Sequence, residues 1–304
     1  MRRGIGFGVL AYLIWGLFPL YFPLLQPAGA LEILAHRMIW SLVVSALILT
    51  VVRGWPAVRT MPVRVWALVV AGSVLIGFNW GIYIWAVNNG RVVEAALGYF
   101  INPLVSVLLG VAIFAERLRP AQWAAVALGV GAVSVLTLTG DAVPWAALGL
   151  AASFGLYGLV KKVIPLAPTA SLTAEGLVVA LPALAYLSVI QATGTSTLTQ
   201  NGSGHVLLLA SSGIVTCMPL LAFAAAARAL PLSVLGLLQY LTPVVQFLLG
   251  VLWFGESMPP SRWIGFVLVW TALAVLSFDA LRHARRHREL PATGRDPVAP
   301  EPRR

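Results

Sequence analysis

Apolar runs of about twenty residues recur along this chain, separated by short polar or charged breaks. Ten such runs stand out, at roughly 4–25, 33–52, 65–87, 92–114, 120–139, 144–162, 171–191, 204–227, 232–254 and 261–281. Each has the length needed to cross a hydrocarbon core as a helix. Helix is the only open-ended conformation that satisfies every backbone N–H and C=O within its own segment in lipid. The breaks have turn chemistry: Arg53-Gly54-Trp55-Pro56, Asn88-Asn89-Gly90-Arg91 and a Thr, Gly, Ser and Asn-rich stretch at 192–203. The expected fold class is all-α, an integral membrane protein of ten transmembrane helices.

Composition agrees. Of 304 residues, 60% are hydrophobic and 10% charged, and the mean hydropathy is +0.91. A soluble domain carries about 25% charged residues. The net charge of +10 sits in the breaks and in the C-terminal segment. It therefore reads as a topology signal and not as a nucleic-acid surface, and no nucleic-acid partner is expected. With the N-terminus inside, only Arg37, Arg91 and Arg262 face outward, and the other 17 of the 20 basic residues face inward. This positive-inside count places both termini on the cytoplasmic side of the cell membrane, with residues 282–304 as a disordered basic tail. The N-terminal run is too long for a signal peptide and lacks its cleavage pattern, so it reads as a retained helix.

The second half repeats the first. Between residues 97–123 and their counterparts 140 positions later, 11 of 27 residues are identical, among them Pro103/Pro243, Val105/Val245, Gly110/Gly250, Glu116/Glu256 and Trp123/Trp263. Chance in so apolar a chain gives roughly three. The two repeats are 4–140 and 141–281. Each holds five helices, an odd number, so the second lies inverted relative to the first. Two inverted halves can present a central site to either side of a membrane in turn, which is how secondary transporters work.

Few polar residues interrupt the runs, and each needs a reason there. Asn79, Trp80 and Tyr83 lie in the third run, with Asn88 at its end. Tyr99, Asn102 and Ser106 share a face in the fourth, and Gln239, Tyr240, Thr242 and Gln246 lie in the ninth. The last two sets flank the repeat-related Pro103 and Pro243. A proline frees a carbonyl one turn back, which makes a polar helix centre of the kind that lines a transport cavity. The competing reading is ordinary interhelical hydrogen bonding. Trp15, Trp80, Trp85, Tyr99 and Tyr240 suit stacking on an aromatic or cationic solute, or an interfacial belt. Glu175 reads as a coupling carboxylate in the cavity or as a headgroup-level charge. Glu32, His36 and Arg37 open the second run and read as an external gate, or as an interfacial cluster with Arg37 snorkelling. Glu116 and Glu256 read as helix-end structure. Cys217 is the only cysteine, so there is no internal disulfide, and no metal, cofactor or catalytic motif is present.

Several stretches also carry a family resemblance: Glu32-Ile33-Leu34-Ala35-His36-Arg37, Ile76-Gly77-Phe78-Asn79-Trp80, Ile84-Trp85-Ala86-Val87-Asn88, the run from Glu94 to Pro103, Gly213-Ile214-Val215-Thr216 and Gln239-Tyr240-Leu241-Thr242-Pro243. They resemble the EamA-type drug/metabolite transporters, and within them the RarD group, named for chloramphenicol sensitivity. The resemblance implies two EamA repeats and export or exchange of a small metabolite or drug-like solute. It names no substrate. The expectation is a secondary carrier and not an enzyme, with a small-molecule substrate and lipid as partners; pairing as a homodimer stays open. The alternatives are a membrane enzyme acting on a lipid-linked substrate and a non-transporting sensor or assembly protein.

Overall fold

The computed structural model describes residues 2–114, 117–139, 143–230 and 232–289. All regular structure among these residues is helical. The first span is a pair, α1 (Arg2–Gly16) and α2 (Phe18–Tyr21), followed by a 3₁₀ turn at Phe22–Leu25. Next come α3 (Ala30–Val51), a short α4 (Trp55–Arg59), α5 (Val63–Asn88), α6 (Val92–Phe114) and α7 (Pro120–Thr139). The second half holds α8 (Trp145–Val163), α9 (Pro168–Ala192), α10 (Gly202–Ala229), α11 (Leu232–Leu238), α12 (Leu241–Leu248) with a π-helical turn at Leu249–Trp253, and α13 (Pro260–Glu289). Nine of the described helices are long and apolar enough to span a bilayer, and ten if the first pair, bent by 43°, counts as one. The chain is a multi-pass membrane protein.

The bend in the first span follows from its prolines. Pro19 and Pro23 offer no N–H to the carbonyls four residues back, so the α-helical ladder stops at Gly16. The orphaned Trp15 carbonyl accepts a hydrogen bond from Gln246 Nε2 at 3.2 Å, and Thr242 Oγ1 donates to the Tyr12 carbonyl at 2.8 Å. Polar side chains of α12 thus complete the broken backbone of the first span, as lipid-facing helices require.

Helix pairing shows the inverted repeat. Packing of α1 on α10 is mirrored by α8 on α5, α1 on α12 by α8 on α6, and α3 on α10 by α9 on α5. The remaining large interfaces join helices to their own counterparts: α3 to α9, α6 to α12 and α7 to α13. Each half therefore buries its helices mainly against the other. Close contacts follow the same rule. A Cβ on Gly16 would meet Val245 Cβ at 2.8 Å, and one on Gly155 would meet Val105 Cγ1 at 3.0 Å. Val105 and Val245 are a repeat-matched pair. Glycines at the contact let the backbones approach.

Short connections make successive spans alternate in direction. One face of the bundle, here called proximal, carries Arg2, the 52–62 connection, the 164–167 connection and Glu289. The distal face carries residues 26–29, 89–91 and 193–201. The symmetry is broken in one respect: α3 packs on α10 much more extensively than α9 on α5. Glu256 on the distal side caps the start of α6, accepting from Val92 N and, at 3.0 Å, from Val93 N. Burial pushes its carboxyl upward, and the two N–H donors hold it back.

One expectation changes. The last helix runs on to Glu289 instead of ending at 281. Arg, Ala and Glu are good helix formers, and the long apolar helix before them has already met the nucleation cost. The rest of the tail, Glu116 and the repeat boundary at 140/141 lie outside the described residues.

Candidate functional site

A cavity of about 710 Å³ runs from the middle of the bundle to its proximal end. That volume is typical of small-molecule sites. Ser45, Ile48, Lys161, Pro168 and Ala225 line its proximal part, and Arg37, Tyr83 and Thr216 line its deep end. The distal side is closed by a packed cluster in which Phe18, Phe22, Leu25, Ile33, Tyr83, Val87 and Leu209 are all buried.

Two aromatic walls flank the cavity. On one side Tyr83, Tyr99 and Phe154 follow one another at ring-centroid distances of 5.7 and 5.9 Å. On the other, Tyr12 contacts Trp15 at 5.5 Å and Phe223 at 6.0 Å. The walls are repeat-related: Phe223 stands 140 positions after Tyr83, and Phe154 stands to Gly155 as Trp15 does to Gly16.

Of the substrate-contact candidates, Asn79, Trp80, Tyr83, Tyr99, Asn102 and Gln239 line this cavity. Asn79 is fully buried and fully engaged. Its Nδ2 donates to the Leu150 carbonyl at 3.0 Å and to Ser153 Oγ at 2.9 Å, and its Oδ1 accepts from Tyr99 at 3.3 Å. Asn79 therefore ties α5 to α8 and α6. Replacing it with Ala strands the Tyr99 hydroxyl and removes both donors to α8, at a cost of about 1–3 kcal/mol for an unsatisfied buried group. The expected outcome is a lowered melting temperature with solute affinity changed little in the protein that remains folded. A melting temperature equal to wild type would show that the tie is dispensable.

Asn88 and Tyr240 do not line the cavity. Asn88 lies nine residues beyond Asn79, about 13 Å along the helix at 1.5 Å per residue, on the distal side. Tyr240 packs on the Phe100, Phe247 and Phe266 cluster instead. Gln239 and Tyr240 form the turn between α11 and α12, where Gln239 faces the cavity and its neighbour turns to the opposite cluster. Trp85 likewise stacks on Trp145 at 4.7 Å, away from the cavity.

Glu32 and His36 lie within electrostatic reach of each other at the start of α3, while Arg37 turns away into the bundle. Glu32 Oε1 accepts from Thr197 N at 2.8 Å and Ser196 Oγ at 3.2 Å, pinning the 193–201 connection over the start of α3. His36 is buried with Nε2 unpartnered among the described residues. Arg37 does not snorkel. It is 3% exposed, donates from Nε to Thr216 Oγ1 at 2.9 Å, and lays its guanidinium 3.9 Å from the Trp80 ring centroid. The Phe18 and Phe22 rings lie over it, and it is buried away from the helix end.

Glu175 is in the cavity wall. Its carboxylate meets Lys161 Nζ at 2.8 Å and accepts from Tyr157 at 3.1 Å and Ser171 at 3.3 Å. The sequence places Lys161 only among the inward-facing basic residues and gives Tyr157 no role. Their i, i+4 spacing on α8 is the signal that places both on one face. Thr216 lies in a family-like stretch, but nothing local marks it as a partner of Arg37, 179 residues away.

The profile of the EamA-like transporter family matches residues 2–138 and again 143–278. Protein RarD of Streptomyces exfoliatus is 54% identical over 290 residues, covering 94% of this chain and 92% of that protein. Protein RarD of Escherichia coli K12 is 42% identical over 288 residues, covering 94% and 97%. A protein of known crystal structure shares the fold at a TM-score of 0.60 with 22% identity, over 93% of this chain and 99% of that one. With residues 2–138 and 143–278 matched as two repeats, this chain belongs to the EamA-like transporter family.

Proposed function

We propose that the protein is a secondary carrier that moves a small metabolite or amphipathic drug-like solute across the cytoplasmic membrane by alternating access, as an exporter or exchanger. One observation carries this reading. The cavity ends blind at mid-bundle between two inverted halves whose equivalent interfaces are unequal, tight at α3–α10 and loose at α5–α9. Exchanging the two interfaces would close the proximal path and open a distal one around the same deep residues. The basic residues near the proximal face, Arg53 and Arg59 in its first connection and Lys161 and Lys162 in the last turn of α8, support a cytoplasmic orientation for it. In this reading Trp80, Tyr83, Tyr99, Asn102 and Gln239 contact solute, and the Glu32 tie to Ser196 and Thr197 serves as a distal latch. Glu175, beside Lys161 in the cavity wall, is the coupling carboxylate. The enzyme alternative loses support, because Glu32 is tied to Ser196 and Thr197 while Arg37 is tied to Thr216 and Trp80, away from it.

The test is solute counterflow in proteoliposomes with a panel of metabolites, amino acids and amphipathic antibiotics, with and without a pH gradient. Wild type is expected to move some solute faster under the gradient. Glu175→Gln is expected to keep counterflow and lose the gradient's effect. An unaltered gradient response in Glu175→Gln would remove Glu175 from coupling. A folded protein that moves nothing would count against the carrier itself.

A further inference from the structure

We propose that the deep end of the cavity is an anion subsite that takes the carboxylate of a small organic monoanion with an aromatic or apolar body, with Arg37 as its reader and Trp80 as its platform. This rests on the carrier reading above and names the substrate class for the same cavity.

The charges lining the cavity are Arg37, Lys161 and Glu175. Lys161 and Glu175 pair at 2.8 Å and cancel. Arg37 has no carboxylate within ion-pair distance among the described residues, although it is 3% exposed. A buried guanidinium without a counter-ion is expensive, and such charges in a membrane mark solute or ion paths. Its protein contacts do not balance the charge. One of its five N–H donors goes to the neutral Thr216 hydroxyl, and Nη1 is buried with no partner.

The surroundings hold the group ready for a planar anion. Trp80 lies against the guanidinium at 3.9 Å from ring centroid, with the Phe18 and Phe22 rings at 5.2 and 5.6 Å. Aromatic packing fixes the plane of the fork and leaves its N–H edge to bind in that plane, which suits the two-oxygen edge of a carboxylate. Nearby, the buried Tyr83 hydroxyl lies beside Gln246 and within the field of Arg37, and can donate to the same oxygens. Beyond the subsite the aromatic walls around Tyr99 and Phe223 receive an apolar body. Among the described residues the one cavity carboxylate is already taken by Lys161, so no free carboxylate is left to pair with an ammonium. A monoanion is therefore favoured over a zwitterion or a cation.

The test uses purified full-length protein in lipid nanodiscs and isothermal titration with paired probes: phenylacetate against phenylacetamide, indole-3-acetate against indole-3-acetamide, and L-phenylalanine and phenethylamine as zwitterion and cation. Wild type is expected to bind at least one acid ten-fold or more tightly than its amide, and the zwitterion and cation more weakly than the acid. Arg37→Gln is expected to lose the acid preference. Arg37→Lys is expected to keep a reduced preference, because charge remains while the two-pronged geometry is lost. Acid and amide binding alike, or no acid binding at all, would overturn the proposal; this comparison is made on wild type and survives a misfolded variant. An acid preference that persists in Arg37→Gln would overturn it too and leave Arg37 a structural cation. Counterflow of a neutral or cationic probe without acid preference would sink the subsite and leave the carrier standing. Acid binding without counterflow of any probe would do the reverse.

Discussion

Adding one methyl group at Gly213 is expected to destabilise the protein by about 2 kcal/mol or more, and Gly213→Leu is expected to give no folded protein. A Cβ built there would sit 2.4 Å from the Trp40 carbonyl oxygen, 2.5 Å from its carbon and 2.8 Å from its Cβ. Two of the three atoms are backbone, so a side-chain rotation cannot relieve the clash, and α10 must move away from α3. Overpacking a tight contact typically costs about 1–3 kcal/mol, occasionally more. Alanine's better helix propensity offsets about 1 kcal/mol of this. Gly131 on α7 is the control, because a Cβ there meets nothing within 4 Å. Gly131→Ala should therefore be neutral or stabilising by up to about 1 kcal/mol. Thermal unfolding in detergent measures both. A Gly213→Ala midpoint equal to wild type would mean that the α3–α10 interface is looser than its geometry indicates. The effect bears on the proposed carrier mechanism, in which α3–α10 is the interface that parts to open the distal side.

Removing Lys161 alone is expected to cost more than removing Lys161 and Glu175 together. Lys161→Met leaves the Glu175 carboxylate, whose side chain is 5% exposed, with only the Tyr157 and Ser171 hydroxyls. Breaking a fully buried pair from one side costs about 3–5 kcal/mol. The Lys161 side chain is 29% exposed, and solvent lowers that figure to about 2 kcal/mol by screening the pair. In Lys161→Met/Glu175→Gln no charge is stranded, so the double variant should recover at least half of the loss. A double-mutant cycle on melting temperature reads the coupling directly. Additive single effects would show that the two groups act independently, and would weaken the neutralisation on which the net positive cavity depends.

The contrast between Asn79 and Arg37 shows how far a single chain can be read. Both sit in family-like stretches and both interrupt apolar runs. Asn79 reads equally well as cavity lining or as an interhelical tie, and its position serves both: it faces the cavity while all its hydrogen bonds go to α8 and α6. Arg37 lies seven residues into α3, close enough to the helix end for a long side chain to reach solvent. The bent first span prevents this, because Phe18 and Phe22 fold over it. Tyr240 and Gln239 differ by one helical step, and near the break between α11 and α12 periodicity does not say which faces inward.

Hydrophobic run length, the requirement that backbone groups pair within a segment in lipid, and the bias of basic residues determined the ten spans, their alternation and the all-helical fold from the sequence alone. The 140-residue repeat with its odd helix count likewise determined the inverted halves. These are local or periodic properties, carried by twenty-residue windows that need no neighbour. The tertiary structure decided which of two equivalent interfaces is tight, where the cavity ends, which polar groups are spent on each other and that Arg37 is left without a counter-ion. Those outcomes depend on side chains up to 179 residues apart meeting in a low-dielectric interior, where the presence or absence of one partner outweighs any residue's own propensity.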